Sequence, residues 1–277
     1  MRLGLIIGAM KSGTTSLFEY LAQHPAICAS RPKEPGYFSE PDGSHDDAWY
    51  LGCWAFDPER HRVRLEASTH YTKLPRDADS PARAARFAAE HGFEVRLVYI
   101  MRHPLERIES QLRHAAEHTP ERLLERRARI VEQAIAYSSY ARQLTPWTER
   151  FGRDNLLLLS FEELGQAPDA VVRRVCAFLG VDPSHPFVDL HKAYHVTKRR
   201  DPRLNVLARS QAFGRWWRLL PSAWRQRLKG LADRLGQRRR PYLDADERRF
   251  AAARLVPEMA ALRDGWGFDT SIWRLEP

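Results

Sequence analysis

Short apolar runs alternate with helically spaced segments along the chain. Leu3–Ile7 is an unbroken apolar run of strand length, which predicts a buried strand. Thr14–Gln23 follows with Leu17, Tyr20 and Leu21 at helical spacing. Arg64–Glu66 reads as a second strand, and the Ala-rich Pro81–His91 as a helix. Glu94–Met101 (EVRLVYIM) is the clearest strand, ended by Arg102-His103-Pro104. Leu105–Glu117 then reads as a helix, and a longer Arg- and Glu-rich helix follows Glu121. Asn155–Ser160 (NLLLLS) predicts another buried strand, and Pro168–Leu179 a helix stopped by Gly180. A last helix spans Asp244–Arg263. No internal repeat is visible.

Strands alternating with helices predict an α/β fold: a central, mostly parallel sheet flanked by helices on both faces. Ligands of such folds sit beyond the carboxyl ends of the strands. Two chemistry-bearing segments fall there. Gly8–Thr15 follows the first strand, and Arg102–Ser110 follows EVRLVYIM.

Composition narrows the class. The chain has 277 residues, 43% of them hydrophobic, which supports a sizeable core and excludes wholesale disorder. No apolar run approaches the roughly 18 residues of a membrane span. The apolar start is eight residues long and Lys11 follows at once, so it reads as a strand rather than a targeting segment. Three widely spaced cysteines, Cys28, Cys53 and Cys176, argue against a disulfide framework and fit a reducing compartment. Both observations predict a cytoplasmic protein. Forty-four Lys and Arg against 35 Asp and Glu give a formal charge of +9, which favours an anionic partner without choosing one. From Lys198 to Arg240 there are 14 basic residues against two acids, with Trp216, Trp217 and Trp224 among them. This stretch, at about 204–240, reads as a basic helical extension of a single domain covering 1–277. A solvated helix pair, a lid over the acceptor, and a peripheral contact with an anionic membrane are its three readings.

Gly8-Ala9-Met10-Lys11-Ser12-Gly13-Thr14-Thr15, between strand and helix, has the makings of an anion site. Backbone amides of residues 11–16 can converge, the helix amino terminus adds partial positive charge, and Lys11 adds a full one. The hydroxyls of Thr14, Thr15 and Ser16 add donors. A Gly/Ser/Thr-rich turn capped by Thr14 would explain the same residues without a ligand. The nucleotide triphosphatase loop has its lysine after the second glycine, whereas Lys11 precedes Gly13, which argues against a magnesium-dependent P-loop kinase. Arg102 at a strand end can hold a second phosphate bidentately, with Ser110 reaching it from the following helix. Taken alone, the pair also fits a surface arginine and a solvated serine. No nucleic-acid reader motif accompanies the positive charge, so no nucleic-acid partner is expected.

Strand–GxxKxGTT–helix, then strand–RxP–helix with a serine eight residues after the arginine, resembles the sulfotransferases that use 3′-phosphoadenosine 5′-phosphosulfate (PAPS). Other segments agree. They are His24-Pro25, Lys33-Glu34-Pro35-Gly36-Tyr37-Phe38, Ser160-Phe161-Glu162-Glu163-Leu164, Phe178-Leu179-Gly180-Val181 and the closing Gly267-Phe268-Asp269 with Trp273. The Lys33–Phe38 segment resembles the carbohydrate, heparan-sulfate-type branch. The resemblance implies a P-loop-like three-layer fold and a sulfuryl transfer that needs no metal. It places the 5′ end of the donor at Lys11, Ser12, Gly13, Thr14, Thr15 and Ser16, and the 3′-phosphate at Arg102 and Ser110. A basic loop at Lys198, Arg199 and Arg200 would close the 3′ side, although the usual RKG form is missing. Lys11 would stabilise the leaving oxygen and Glu34 would act as base. His70 is the rival base, in Glu66-Ala67-Ser68-Thr69-His70-Tyr71, where Ala67 stands in place of that branch's second lysine. The implied acceptor is the hydroxyl, or as second choice the amine, of a carbohydrate or glycolipid. A lipid, polyketide or other small natural product is the alternative. The sequence does not fix the oligomeric state.

Overall fold

The first strand, β1 (Arg2–Gly8), alternates its faces as a strand must. Leu3, Leu5 and Ile7 enter one core, and Ile6 enters another on the opposite side of the sheet. The computed structural model describes residues 1–40, 44–192, 221, 224 and 243–275. Its remaining strands are β2 (Ile27–Ala29), β3 (Val63–Glu66), β4 (Glu94–Met101) and β5 (Leu156–Ser160). All five pair in parallel, in the order β2-β3-β1-β4-β5. The chain leaves β1 toward β2 on one side and later crosses to β4 on the other. The carboxyl ends of β1 and β4 therefore flank the switch point, the place where ligands of such folds bind.

Helices cover both faces. Helix α1 (Thr14–Leu21), α8 (Phe161–Gln166) and α9 (Pro168–Leu179) pack with Ile6, Val98 and Ile100. On the other face, α3 (Ser80–His91), α7 (Tyr140–Phe151) and the last described helix, α10 (Ala245–Trp266), pack with Leu5, Leu97 and Tyr99. A third core joins α4 (Pro104–His118), α5 (Pro120–Glu125) and α6 (Arg127–Ser138) to α10. Each fully buried Leu, Ile or Val contributes roughly 1.5–3 kcal/mol to these layers. Helix α2 (Asp47–Leu51) is short and capped by Asp46, whose carboxylate accepts the Trp49 amide.

The three-layer α/β architecture and its parallel sheet agree with the sequence reading, with local corrections. Helix α1 stops at Leu21, and its amino-terminal cap is Gly13 in a left-handed conformation, so Thr14 is the first helical residue and not the cap. Strand β2 is too short to carry a periodic signal. The single helix expected after Glu121 is divided into α5 and α6, and α7 follows with Pro146 inside it. Helix α10 begins with a reciprocal capping box between Asp244 and Glu247. Of the 204–240 extension, only Pro221 and Trp224 are described, both exposed; the rest lies outside the described residues.

Candidate active site

The loop after β1 is tied at its start by the Ala9 amide, which donates to the Ile100 carbonyl of β4 at 2.8 Å. Lys11 and Gly13 both adopt positive φ, 69° and 87°, which turns the chain tightly into α1. At Gly13 this conformation suits glycine, and a Cβ there would lie 2.7 Å from Cδ2 of Phe161. Gly13 makes no side-chain cap, so the first-turn amides of α1 face the loop concavity without a side-chain acceptor from that position. Ser12 is fully buried, and Lys11 is half-buried. Burial lowers the Lys11 pKa, Arg113 and Arg102 lower it further, and Glu117 and Glu34 oppose them. Lys11 therefore feels two cations and two anions, with Arg113 the strongest of the four.

The second loop leaves β4 at Arg102. Its guanidinium lies 4.8 Å from the ring centroid of Phe161, the same ring that abuts Gly13, so one aromatic braces both loops. Glu106 Oε2 is 3.4 Å from Arg102 Nη2, a loose contact. Ser110 is buried on α4, two turns beyond. Glu162 fixes the turn itself. Its Oε1 accepts the His103 amide at 2.8 Å, and its Oε2 accepts the Ser160 hydroxyl at 2.9 Å and the Trp273 indole at 3.0 Å. Two motifs far apart in the chain thus meet on one carboxylate.

A third segment docks beside these loops. The Ala67 amide donates to the Lys33 carbonyl at 3.0 Å, and the Gly36 amide donates to the Ser68 hydroxyl at 3.0 Å. This places Glu34 against the turn Thr69–Thr72. Glu34 Oε1 is 2.6 Å from Lys33 Nζ, and its Oε2 accepts the Thr69 hydroxyl at 3.3 Å. Burial would raise the Glu34 pKa, but Lys33, His70 and Lys73 outweigh it and hold the carboxyl below its usual range. The His70 ring makes no hydrogen bond among the described residues. Burial, aided by Lys73, lowers its pKa and keeps it neutral at pH 7.

The structure brings Lys11, Ser12, Gly13, Thr14, Thr15, Ser16, Arg102, Ser110, Glu34 and His70 to the loops at this end of the sheet. Lys198, Arg199 and Arg200 lie outside the described residues. Three residues escaped the sequence reading. Arg107 is fully buried, donating to the Ser138 hydroxyl at 2.6 Å, the Ala134 carbonyl at 2.6 Å and the Met10 carbonyl at 3.3 Å. Through these neutral acceptors it ties α4 to α6 and to the loop after β1. Its signal was an arginine between Leu105 and Ile108, on the apolar side of α4. Glu66 is fully buried and accepts hydroxyls from Tyr50 at 2.8 Å, from Tyr71 at 2.7 Å and from Ser68. Burial pushes its pKa up to about 7 against those three donors. Lys73 is the third, buried at the end of the Thr69–Thr72 turn.

A family model described as sulfotransferase domain matches residues 4–206. Heparan sulfate glucosamine 3-O-sulfotransferase 3A1 of Mus musculus is 29% identical over 206 residues, covering 70% of this chain and 49% of that protein. The bifunctional heparan sulfate N-deacetylase/N-sulfotransferase 1 of Caenorhabditis elegans is 24% identical over 201 residues, covering 66% of this chain and 22% of that protein. The chain thus spans half or less of the length of these curated relatives. A sulfotransferase from Alicyclobacillus acidocaldarius shares the fold, with a TM-score of 0.67, 23% identity and 99% coverage of both chains. With the family model spanning residues 4–206, most of the chain, the chain belongs to the sulfotransferase family.

Proposed function

We propose that the protein transfers a sulfuryl group from PAPS to a hydroxyl of a carbohydrate or glycolipid acceptor. The observation that carries this reading is the pairing of two anion-suited loops at adjacent strand ends, β1 and β4, braced by Phe161, with the Glu34 carboxylate within electrostatic reach of Lys11. Lys11, Ser12, Gly13, Thr14, Thr15 and Ser16 bind the 5′-phosphosulfate. Arg102 and Ser110 bind the 3′-phosphate; the candidates at 198–200 lie outside the described residues. Lys11 and Arg102 at the loops, with Arg107 buried and bonded to no carboxylate among the described residues, fit a ligand that carries several negative charges.

The transfer is an in-line displacement. A bond forms between the acceptor oxygen and sulfur, and the bond from sulfur to the bridging oxygen breaks. The electron pair goes to the 5′-phosphate oxygen, where Lys11 stabilises the developing charge without a metal. The acceptor proton goes to Glu34. That carboxylate is ionised at neutral pH and held at both oxygens, so it is oriented as a base needs to be. His70 is the rival because it is neutral at pH 7, but its ring has no orienting partner among the described residues. The carbohydrate acceptor is supported by relatives whose names specify heparan sulfate. A lipid or polyketide acceptor is the second choice. Among the described residues no helix is long and apolar enough to cross a membrane, and peripheral attachment would rest on the 204–240 stretch.

Thermal shift with 3′-phosphoadenosine 5′-phosphate (PAP), ATP with magnesium, and NAD tests the donor. A rise in melting temperature with PAP, and little with the others, is expected. An equal or larger rise with ATP and magnesium would favour a kinase and overturn the proposal.

A further inference from the structure

Lys73 is 6% exposed, yet its ammonium makes no hydrogen bond or ion pair among the described residues. A buried charge without a partner is costly, and proteins keep one where a ligand completes it. The residue is held firmly in place. Before it, the Thr72 hydroxyl donates to the Ile7 carbonyl at 2.7 Å, at the end of β1 where the phosphate loop begins. After it, the Leu74 amide donates to Gln143 Oε1 of α7 at 2.9 Å, and Gln143 Nε2 donates in turn to the Ala136 carbonyl at 2.9 Å. Glu34 and Asp77 act on Lys73 as anions, and Arg76 and Arg107 as cations. His70 feels Lys73, and His114 of α4 feels both Lys73 and Lys11, so the two lysines share one electrostatic neighbourhood.

We propose that the Lys73 ammonium contacts a non-bridging oxygen of the sulfuryl group during transfer, as a second catalytic cation beside Lys11. The inference rests on the PAPS reading above and extends it to a residue outside both strand-end loops. Lys73 stays protonated throughout; the acceptor proton still goes to Glu34 and the electron pair to the bridging oxygen. Burial brings its pKa down to about 8, with Glu34 pulling it back up, so the free enzyme loses this cation as pH rises through that value.

PAP lacks the sulfuryl group and PAPS carries it, so calorimetric affinities for both, at pH 7 and pH 9, isolate the contact. In the wild type, PAPS affinity relative to PAP should fall between the two pH values. Lys73→Met should weaken PAPS about 10–100-fold at pH 7, the range of a charge-assisted bond, and leave PAP within about threefold. Lys73→Arg should restore PAPS binding and abolish the fall at pH 9, because arginine stays charged. Equal losses for both nucleotides, or none for PAPS, would overturn the inference. So would intact PAPS binding with a raised acceptor KM, which would assign Lys73 to the acceptor. If Lys73→Met does not fold, the pH 9 result for Lys73→Arg decides alone. Wild-type protein that binds neither nucleotide would overturn the donor reading itself, a result separate from any variant's.

Discussion

Replacing Glu162 by glutamine tests how the second loop is held. The carboxylate has two oxygens facing three donors, the His103 amide, the Ser160 hydroxyl and the Trp273 indole. Neither the amide nor the indole can reverse. The Ser160 hydroxyl could turn, but its oxygen already accepts the Glu163 amide at 3.1 Å. Whichever way a glutamine is placed, its NH₂ therefore meets a fixed N–H. Leaving such a donor unsatisfied costs about 1–3 kcal/mol, and weakening the remaining bonds from charge-assisted to neutral adds about 1 kcal/mol. Glu162 is only half-buried, and water reaching the site brings the expected total to about 2–3 kcal/mol. The adjacent glutamate supplies the control. Glu163 pairs bidentately with Arg174 at 2.8 and 2.7 Å, with both side chains at least 40% exposed. Such a surface pair is worth about 0–1 kcal/mol. Both glutamates occupy the first turn of α8, so the loss of the helix-dipole contribution is common to the two variants. Urea unfolding should show Glu162→Gln well below wild type and Glu163→Gln within about 1 kcal/mol of it. Because His103 adjoins Arg102, Glu162→Gln should also weaken PAP more than adenosine 5′-phosphosulfate. Equal destabilisation by the two variants, or intact PAP binding by a clearly destabilised Glu162→Gln, would refute the reasoning.

Arg102→Ala should weaken PAPS but hardly change adenosine 5′-phosphosulfate, which lacks the 3′-phosphate; equal losses in calorimetry would detach Arg102 from that group. Glu66 gives a pH signature: its folded pKa, about 7, lies above the ordinary carboxyl value of 4.5, so its contribution to stability is complete below 4.5 and is lost as pH rises toward 7. Stability measured from pH 4.5 to 8 should therefore fall more steeply for wild type than for Glu66→Gln, and parallel curves would show that Glu66 does not titrate in this window.

Strand β4 and helix α9 were legible because each is an apolar or amphipathic segment stopped by Arg102 or Gly180, and β5 because four leucines run together. Strand β2 was not, because Ile27-Cys28-Ala29 is shorter than any usable period and forms only by pairing with β3. The two strand-end loops were legible because anion binding draws on few residue types at fixed spacing. Arg107, Glu66 and Lys73 were not, because their importance lies in burial. One arginine in an arginine-rich chain looks like any other until the Met10, Ala134 and Ser138 acceptors surround it. Lys73 stands out only once the turn before it docks on β1. The Glu34 segment fell between these cases. The resemblance implied a base there, and the segment's docking on Ala67 and Ser68 appears only in three dimensions.

Single-turnover transfer of labelled sulfate from saturating PAPS to heparan-type oligosaccharides tests the central claim most directly, with wild type, Glu34→Gln and His70→Asn compared side by side. The account predicts transfer by wild type, a drop of about 10²–10⁴-fold in Glu34→Gln with PAP affinity unchanged, and a smaller loss in His70→Asn. Near-normal transfer by Glu34→Gln, with His70→Asn inactive, would contradict it.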